Sequence, residues 1–293
     1  MKKCCLFFLL VLSICIQAQG FLNGNDIITK TYSERWELDS IDKKGTFRLM
    51  SYKPIYVTAG RWTDRPNNQP FSENPDYSST TQEDYDNIET KFQLSFKTKV
   101  VQSLFWGRGD FWIGYTQVAH WQLYNTASSR VFREINYEPE IMFKYPLYIP
   151  FFNGEFKSVG VAFNHQSNGR DLPYSRSWNR IIFHLSYEID NWIVTAHPWI
   201  RLADDEDENP EITKYIGNGE VNVSYTYNRH QFYSIIKHPF NTWQGGSIQL
   251  NYVFPIKGHL RGHVQGFHGY GETMIDYNHR QTTIGIGATF ANW

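Results

Sequence analysis

Cysteine is absent from the chain beyond its N-terminal segment. The three cysteines of the 293-residue sequence are Cys4, Cys5 and Cys15. They lie in MKKCCLFFLLVLSICIQA, where two lysines precede an apolar run and Ala18 follows it, the layout of a secretory signal peptide. We therefore assign residues 1–18 to a signal peptide cleaved near its end. The mature chain then has no thiol, which excludes disulfides, cysteine metal ligands and cysteine nucleophiles.

Long apolar runs and an excess of charge are also missing. No stretch after the signal peptide approaches the ~20 apolar residues of a membrane-spanning helix, so a helical membrane protein is excluded. The formal net charge is −1, from 28 basic and 29 acidic residues. Such a balance argues against nucleic acid as a partner. No segment repeats its apolar residues with a convincing helical period.

The pattern that is present alternates with a period of two. In KFQLSFKTKV, which begins at Lys91, the apolar residues share one face, and lysine, glutamine and serine occupy the other. The same alternation recurs in 220–227 and 247–254, and turn residues such as Asn153-Gly154 separate the segments. We predict an all-β chain that forms a transmembrane antiparallel β-barrel, with lipid outside and a polar interior.

A soluble sandwich or a lipocalin-like barrel would show the same alternation with its apolar face turned inwards. The signal peptide, aromatic residues near strand ends and a C-terminal strand ending Phe290–Trp293 favour the membrane instead. The aromatic residues are Trp106, Trp112, Trp121, Trp192, Trp199, Tyr225 and Tyr227. We expect one barrel domain over 19–293, with an N-terminal periplasmic segment to about residue 45, in the outer membrane of a Gram-negative bacterium.

One polar stretch, FNHQSNGRDLPYSRSWNR, lies between two strand-like segments. His165 and Ser167 continue the parity of the apolar face before it, and Asn179 has the parity of the apolar face after it. A hairpin symmetric about Leu172 sets His165 opposite Asn179 at ~5 Å between Cβ atoms. His165 and Ser167 lie ~6.7 Å apart along the strand. All three polar side chains are therefore expected on the lipid-facing side.

These residue types form a candidate nucleophilic site. Serine is a poor nucleophile alone, so His165 would take the proton of Ser167 as its oxygen attacks a carbonyl, while Asn179 fixes the imidazole tautomer. A neutral amide adds no negative charge, and we expect help from another group such as a metal ion. Alternatively, His165 and Ser167 are ordinary strand-end residues near the membrane interface.

Several stretches of the chain resemble the outer-membrane phospholipase A family. They are YTQVAHWQLYN (115–125), FREINYEPE (132–140), NHQSNGR (164–170), SRSWNR (175–180), NPEITKYIG (209–217) and YGETMIDYN (270–278). The match is collinear from about residue 47 to the C-terminus, and the His-x-Ser-Asn-Gly block is its most specific part. The resemblance implies a twelve-stranded barrel, about twelve strands being the number we expect here. It also implies calcium-dependent hydrolysis of phospholipid acyl esters by a dimer, with Ser167, His165 and Asn179 as the triad.

The resemblance further implies an oxyanion hole and a Ca²⁺ site. The Gly169 N–H would face the oxyanion, and the metal ligands would be the Arg170 carbonyl, Ser175 and Ser129 of the partner subunit. These are the hard oxygen donors that Ca²⁺ prefers.

The chain departs from the family at two positions near these residues. Arg130-Val131 follows Ser129 where the family usually has Ser-Pro, so that loop can sit differently. Leu172 stands where an acidic residue is expected, and Asp171 or the acidic run 204–208 could substitute. The acidic run is alternatively a solvated loop at the barrel rim.

Gln117 has the parity of lipid-facing residues in WIGYTQVAHW, at the position where the family hydrogen-bonds across its dimer interface. Self-pairing around a two-fold axis would satisfy an amide there. A local bulge would instead turn Gln117 into the lumen. Two other functions stay open for the chain: a non-catalytic porin or adhesin, and an outer-membrane protease with acidic catalytic residues at the extracellular rim.

Overall fold

The computed structural model describes residues 30–239 and 245–289. The predicted signal peptide at 1–18 and the terminal aromatic residues at 290–293 lie outside the described residues. Neither α-helix in the described ranges is long and apolar enough to cross a membrane.

Twelve long antiparallel strands form the molecule, with one short extra strand before them. The short strand is β1 (Met50–Ser51). The long strands are β2 (Tyr56–Thr63), β3 (Ile88–Val101), β4 (Asp110–Trp121), β5 (Glu134–Phe151), β6 (Gly154–Ser167), β7 (Ser177–Ile189), β8 (Trp192–Arg201), β9 (Gly219–Tyr227), β10 (His230–Lys237), β11 (Ser247–Lys257), β12 (Leu260–Tyr270) and β13 (Arg280–Thr289).

The sheet closes on itself. Each long strand pairs with its neighbours in sequence, and β13 returns to pair with β2, with Thr283 opposite Thr63. The short β1 extends the line of β2 along β3, with Met50 opposite Lys97. Closure leaves no free sheet edge, as a barrel in lipid requires. The prediction of an all-β antiparallel barrel of about twelve strands is confirmed.

The two faces of each strand differ as a membrane barrel requires. On β3, Leu94 and Phe96 are 46% and 39% exposed on the outside, whereas Ser95 and Lys97 are buried inside. Inside the barrel, Glu89 accepts hydrogen bonds from Arg61, Arg133 and His120 at 2.7–2.8 Å. The apolar face therefore points outwards, which the inward-facing soluble alternatives do not allow.

Two of the aromatic residues expected near the membrane interface lie inside instead. Trp112 and Trp199 are buried, with Trp112 against Trp36 and Trp199 against Trp178. Both have the parity of the polar face on their strands. Their position near a strand end therefore did not predict that their side chains point into the lumen. Trp106, at 88% exposure, faces outwards as expected.

The two ends of the barrel carry connections of different length. The loop end bears the connections 64–87, 122–133, 168–176, 202–218 and 271–279, together with 238–246, part of which lies outside the described residues. The turn end bears 102–109, 152–153, 190–191, 228–229 and 258–259. In outer-membrane barrels the long loops are extracellular and the short turns periplasmic.

Two single-turn helices and a 3₁₀ helix are the helical elements of the described residues: α1 (Tyr32–Trp36), α2 (Ile212–Tyr215) and Pro75–Tyr77. A capping box between Thr31 and Glu34 begins α1. This helix packs inside the barrel, where the Trp36 ring lies 3.1 Å from Lys97 Nζ. Glu37, just after it, pairs with Lys99 at 2.8 Å. Tyr32, Trp36 and Leu38, which belong to the segment expected in the periplasm, are thus buried in the lumen.

The β12–β13 loop (271–279) enters the barrel from the loop end. Met274, Ile275 and Tyr277 are buried at its tip. Its backbone is held by side chains of β5, since the N–H of Ile275 donates to Glu134 Oε1 at 3.2 Å. The lumen is therefore occupied from both sides, and the space between holds the partly polar residual cavity of about 280 Å³.

Candidate active site

The β6–β7 hairpin brings the predicted catalytic residues to the outer face at the loop end. His165 lies directly opposite Asn179 in the register, as the hairpin symmetric about Leu172 predicts. Phe163 and Phe183, on the same faces of the two strands, are 45% and 44% exposed. Their neighbours of opposite parity are buried in the lumen, so His165, Ser167 and Asn179 lie on the lipid side.

A hydrogen bond orients the imidazole. His165 Nδ1 and Asn179 Oδ1 are 2.8 Å apart. Because an amide oxygen can only accept, Nδ1 is the protonated nitrogen, and the lone pair is left on Nε2. In the described chain Ser167 Oγ makes no hydrogen bond. The expected contact between Ser167 and His165 stays a prediction, and catalytic hydrogen bonds commonly tighten only when substrate binds.

The β6–β7 loop (168–176) follows Ser167 directly. Gly169 has φ of +62°, in the left-handed region that favours glycine. A Cβ there would lie 3.0 Å from the Tyr137 ring, so close packing also favours a residue without a side chain at this position. Arg176 anchors the far end of the loop, donating to the Tyr77 carbonyl at 2.8 Å and to the Ser175 carbonyl at 2.7 Å. These two hydrogen bonds hold the Arg176 end of the loop in place.

The residues predicted to hold Ca²⁺ are oxygen donors on and beside this loop. Ser175 Oγ donates to Glu208 Oε1 at 2.7 Å, and Glu208 Oε2 is buried with no hydrogen-bond partner in the described chain. A buried carboxylate oxygen without a partner is costly, and a cation would satisfy it. Among the described residues, no three or more His, Cys, Asp or Glu side chains form a metal cluster. Ser175 and Glu208 thus offer a hydroxyl and a carboxylate oxygen that fit a hard cation.

The acidic run 204–208 divides into two parts. Asp204, Asp205 and Glu206 are exposed, as expected of a solvated rim loop, while Glu208 turns towards Ser175. The same connection is tied to β7, where the N–H of Leu202 donates to the Asn179 carbonyl at 2.9 Å. The acidic run, one of the two expected substitutes for an acid at Leu172, thus contacts Ser175 through Glu208.

Ser129 and Gln117 lie on the neighbouring strand pair. The Ser129 carbonyl accepts from Trp121 Nε1 at 2.9 Å, which fixes the loop that carries Arg130-Val131. Gln117 is on the outer side, because β4 pairs with β5 without a register shift and Thr116 next to it is buried. The alternative in which a bulge turns Gln117 into the lumen is thus removed. Its Oε1 accepts from Tyr115 Oη at 2.9 Å.

The barrel is closed, with an apolar exterior and a polar, plugged interior. This architecture defines an outer-membrane protein, and the histidine–amide pair on its lipid side is typical of an enzyme. The family model for phospholipase A1 matches residues 32–290. This chain belongs to the phospholipase A1 family and is an outer-membrane phospholipase of a Gram-negative bacterium.

Relatives match over most of their length. The chain is 37% identical to the phospholipase A1 of Escherichia coli strain K12 over 199 residues, 68% of each chain. It is 34% identical to the phospholipase A1 of Klebsiella pneumoniae over 246 residues, 84% of this chain and 83% of that one. The structure of the Salmonella typhi outer-membrane phospholipase dimer with bound calcium is similar with a TM-score of 0.77 at 31% identity, covering 85% of this chain and 94% of that one.

Two residues that contact the site were not singled out from the sequence: Asn168 and Glu134, which hold the β6–β7 loop. Glu208, which contacts Ser175, was named only as part of the acidic run 204–208. Asn168 lies within the quoted His-x-Ser-Asn-Gly block, so the motif was a signal for it. Glu134, the first residue of β5, and Glu208, in the 202–218 connection, contact the site from other parts of the chain, which the parity of β6 and β7 does not report.

Proposed function

We propose that this phospholipase hydrolyses acyl ester bonds with Ser167 as nucleophile, His165 as base and Asn179 as orienting residue, and that it uses Ca²⁺. The observation that supports this most directly is the 2.8 Å contact between His165 Nδ1 and Asn179 Oδ1 on the lipid side of the barrel. Polar groups facing hydrocarbon are unfavourable, less so near the interface, so their presence at the loop end favours a functional role.

The reaction follows from the tautomer. Ser167 Oγ attacks the acyl carbonyl and transfers its proton to His165 Nε2, while His165 Nδ1–H continues to donate a hydrogen bond to Asn179 Oδ1. His165 then gives the proton to the glycerol oxygen as the ester bond breaks, leaving an acyl group on Ser167. A water molecule, deprotonated by His165, releases the fatty acid and restores the serine.

The N–H of Gly169 would donate to the oxyanion of each tetrahedral intermediate. No hydrogen bond in the described chain uses this N–H, so it is available to substrate. The Arg170 carbonyl, Ser175 and Glu208 would hold Ca²⁺ beside it. When bound, the ion supplies positive charge and ordered water near the developing negative charge.

We also propose a calcium-linked dimer in which Ser129 of the partner subunit completes the metal site and Gln117 lies at the interface. The Salmonella typhi relative is a dimer with bound calcium, and the outward position of Gln117 in this chain is compatible with such a contact.

The test is hydrolysis of phospholipid vesicles by the refolded protein, with and without Ca²⁺. Ser167→Ala is expected to keep the barrel folded and to lose turnover by ~10³-fold or more, as removal of a triad serine does. Near-normal turnover of Ser167→Ala would refute the mechanism. Absence of lipid hydrolysis by wild type would favour the non-catalytic barrel, and peptide cleavage without lipid cleavage would favour the protease.

A further inference from the structure

We propose that Asn168 is a positioning residue for the reaction: its side chain, oriented by Glu134, fixes the backbone on both sides of the Gly169 N–H. The inference rests on the proposed function, because it takes that N–H as the oxyanion donor. Asn168 follows Ser167 in sequence and has the opposite parity, so its side chain is buried in the barrel mouth at 3% exposure.

The amide of Asn168 spans the whole β6–β7 loop. Its Oδ1 accepts from the N–H of Arg170 at 3.3 Å and from the N–H of Arg176 at 3.0 Å. Its Nδ2 donates to the Tyr174 carbonyl at 2.8 Å, and its own N–H donates to the Arg176 carbonyl at 3.0 Å. One side chain thus contacts the backbone of Arg170, Tyr174 and Arg176 within the loop.

Gly169 lies between two residues that this network holds. Its own N–H has no partner in the described chain, so nothing contacts the donor directly. Its direction is set by the peptide planes of Asn168 and Arg170. The same network fixes Arg170, whose carbonyl is a proposed ligand for Ca²⁺. A donor that must be ready before charge develops has to be positioned in advance, and this is the effect of the Asn168 amide.

Glu134 favours the orientation of the Asn168 amide in which Nδ2 faces Glu134. Its Oε2 accepts from Asn168 Nδ2 at 3.4 Å, and its Oε1 accepts from Asn136 Nδ2 at 2.7 Å and from the N–H of Ile275 at 3.2 Å. A carboxylate beside Nδ2 opposes a flip that would bring Oδ1 towards it. The inserted β12–β13 loop therefore supports the proposed oxyanion donor through two side chains.

The first experiment compares Asn168→Ala with Asn251→Ala in the full chain, refolded in vesicles. Asn251 is a matched control: it is equally buried in the lumen, accepts from Gln265 Nε2 at 2.9 Å, and is remote in sequence from the β6–β7 loop. We expect Asn168→Ala to lower kcat by roughly 10²-fold, as small misplacements of catalytic groups do, with KM little changed. Asn251→Ala should lower the unfolding midpoint comparably and leave kcat near wild type.

A second pair of variants tests the inference even if Asn168→Ala does not fold. Asn168→Asp keeps the oxygen that accepts the two N–H groups but turns a charged oxygen towards Glu134. Its kcat should fall, and adding Glu134→Gln removes the like charge, supplies an amide donor and should recover about tenfold of kcat, since contacting residues couple. The rate of fluorophosphonate labelling at Ser167 should follow the same order.

Three results would overturn the inference: kcat of Asn168→Ala equal to wild type, an equal loss in Asn251→Ala, or no recovery on adding Glu134→Gln. Ser167→Ala in the same assay separates the two levels of the argument. If it is inactive and unlabelled while the Asn168 variants keep full kcat, only the positioning role fails. If Ser167→Ala remains active, the proposed function fails and takes the positioning role with it.

Discussion

A single hydrogen bond decides which imidazole nitrogen of His165 can act as a base. The Asn179 amide oxygen holds the proton on Nδ1, 2.8 Å away. Asn179→Ala should therefore lower kcat by roughly 10²–10³-fold, less than the ~10⁴-fold cost of a wrong tautomer beside a charged orienting residue. Asn179→Asp keeps the acceptor and should stay within about tenfold of wild type. Steady-state kcat on lipid vesicles tests this, and full activity of Asn179→Ala would remove Asn179 from the mechanism.

Most of what could be predicted about the site from the sequence came from strand parity. The placement of His165 opposite Asn179 on the lipid side needed only a symmetric hairpin and a period of two. Asn168 was missed as a separate group because its parity points inwards, away from the expected site. Trp112 was misplaced for the opposite reason, since its position near a strand end was given more weight than its parity.

At the scale of elements, the β12–β13 loop is held in the barrel mouth by ion pairs. Arg61 and Lys91 both bind Glu272, Lys91 at 3.0 Å. Burial alone would raise the pKa of the Glu272 carboxyl, but Arg61 and Lys91 hold it well below the usual value of 4.5. Burial would likewise raise the pKa of Asp276, which Arg133 keeps low. Both carboxylates therefore stabilise the docked loop as charged groups.

The pH dependence follows from these lowered pKa values. The stabilisation is fully present above the unfolded pKa near 4.5 and is lost as pH falls towards the lower folded value. Glu272→Gln should lower the free energy of unfolding by ~3–5 kcal/mol at pH 7, because buried Lys91 loses its carboxylate partner and Arg61 keeps only Glu89. Denaturant unfolding at pH 7 and below pH 4 measures both effects. A variant whose loss of stability on acidification equals that of wild type would contradict this account.

Glu208 belongs to the same scale, because the 202–218 connection carries it to the β6–β7 loop. Its unpartnered Oε2 beside Ser175 leads us to expect that Glu208→Gln weakens Ca²⁺ binding by ~10-fold or more. Asp205→Asn is the matched control, since Asp205 is an exposed acid on the same connection. Calorimetric Ca²⁺ titration of the refolded protein reports affinity without relying on turnover. Equal affinities for the two variants would exclude Glu208 as a ligand.

The packing of connections was the part that the sequence could not provide. Alternation specifies which face of a strand meets lipid, but α1 and the β12–β13 loop enter the lumen through contacts between residues far apart in the chain. Trp36 on Lys97 and Ile275 on Glu134 are two such contacts. Short polar segments have no hydrophobic period, so the sequence does not predict where in the fold they pack.

At the scale of the whole molecule, the occupied lumen separates this protein from a channel. α1 lies within the barrel on one side and the β12–β13 loop fills the mouth on the other. The proposed catalytic residues lie on the outer wall instead, where membrane lipid surrounds the barrel. An enzyme whose active groups face the bilayer can be regulated by what covers that wall.

We propose that a second barrel covers the outer wall around Gln117. Gln117 Oε1 is satisfied within the chain by Tyr115, and its Nε2 remains available for a second barrel. Gln117→Leu should weaken dimerisation by ~0.6–2 kcal/mol, the range for hydrogen bonds within membranes. It should also raise the Ca²⁺ concentration needed for hydrolysis, if each site requires Ser129 of the partner subunit.

Crosslinking and hydrolysis measured together across a Ca²⁺ titration test this dependence. Ile236→Ala is the control, since Ile236 is an outward residue on β10, across the barrel from β4. It should leave both curves unchanged, whereas in Gln117→Leu both should move to higher Ca²⁺ in parallel. Movement of crosslinking alone would mean that dimerisation is not needed for catalysis. Full hydrolysis by monomeric protein in excess chelator would remove both the metal and the partner from the mechanism.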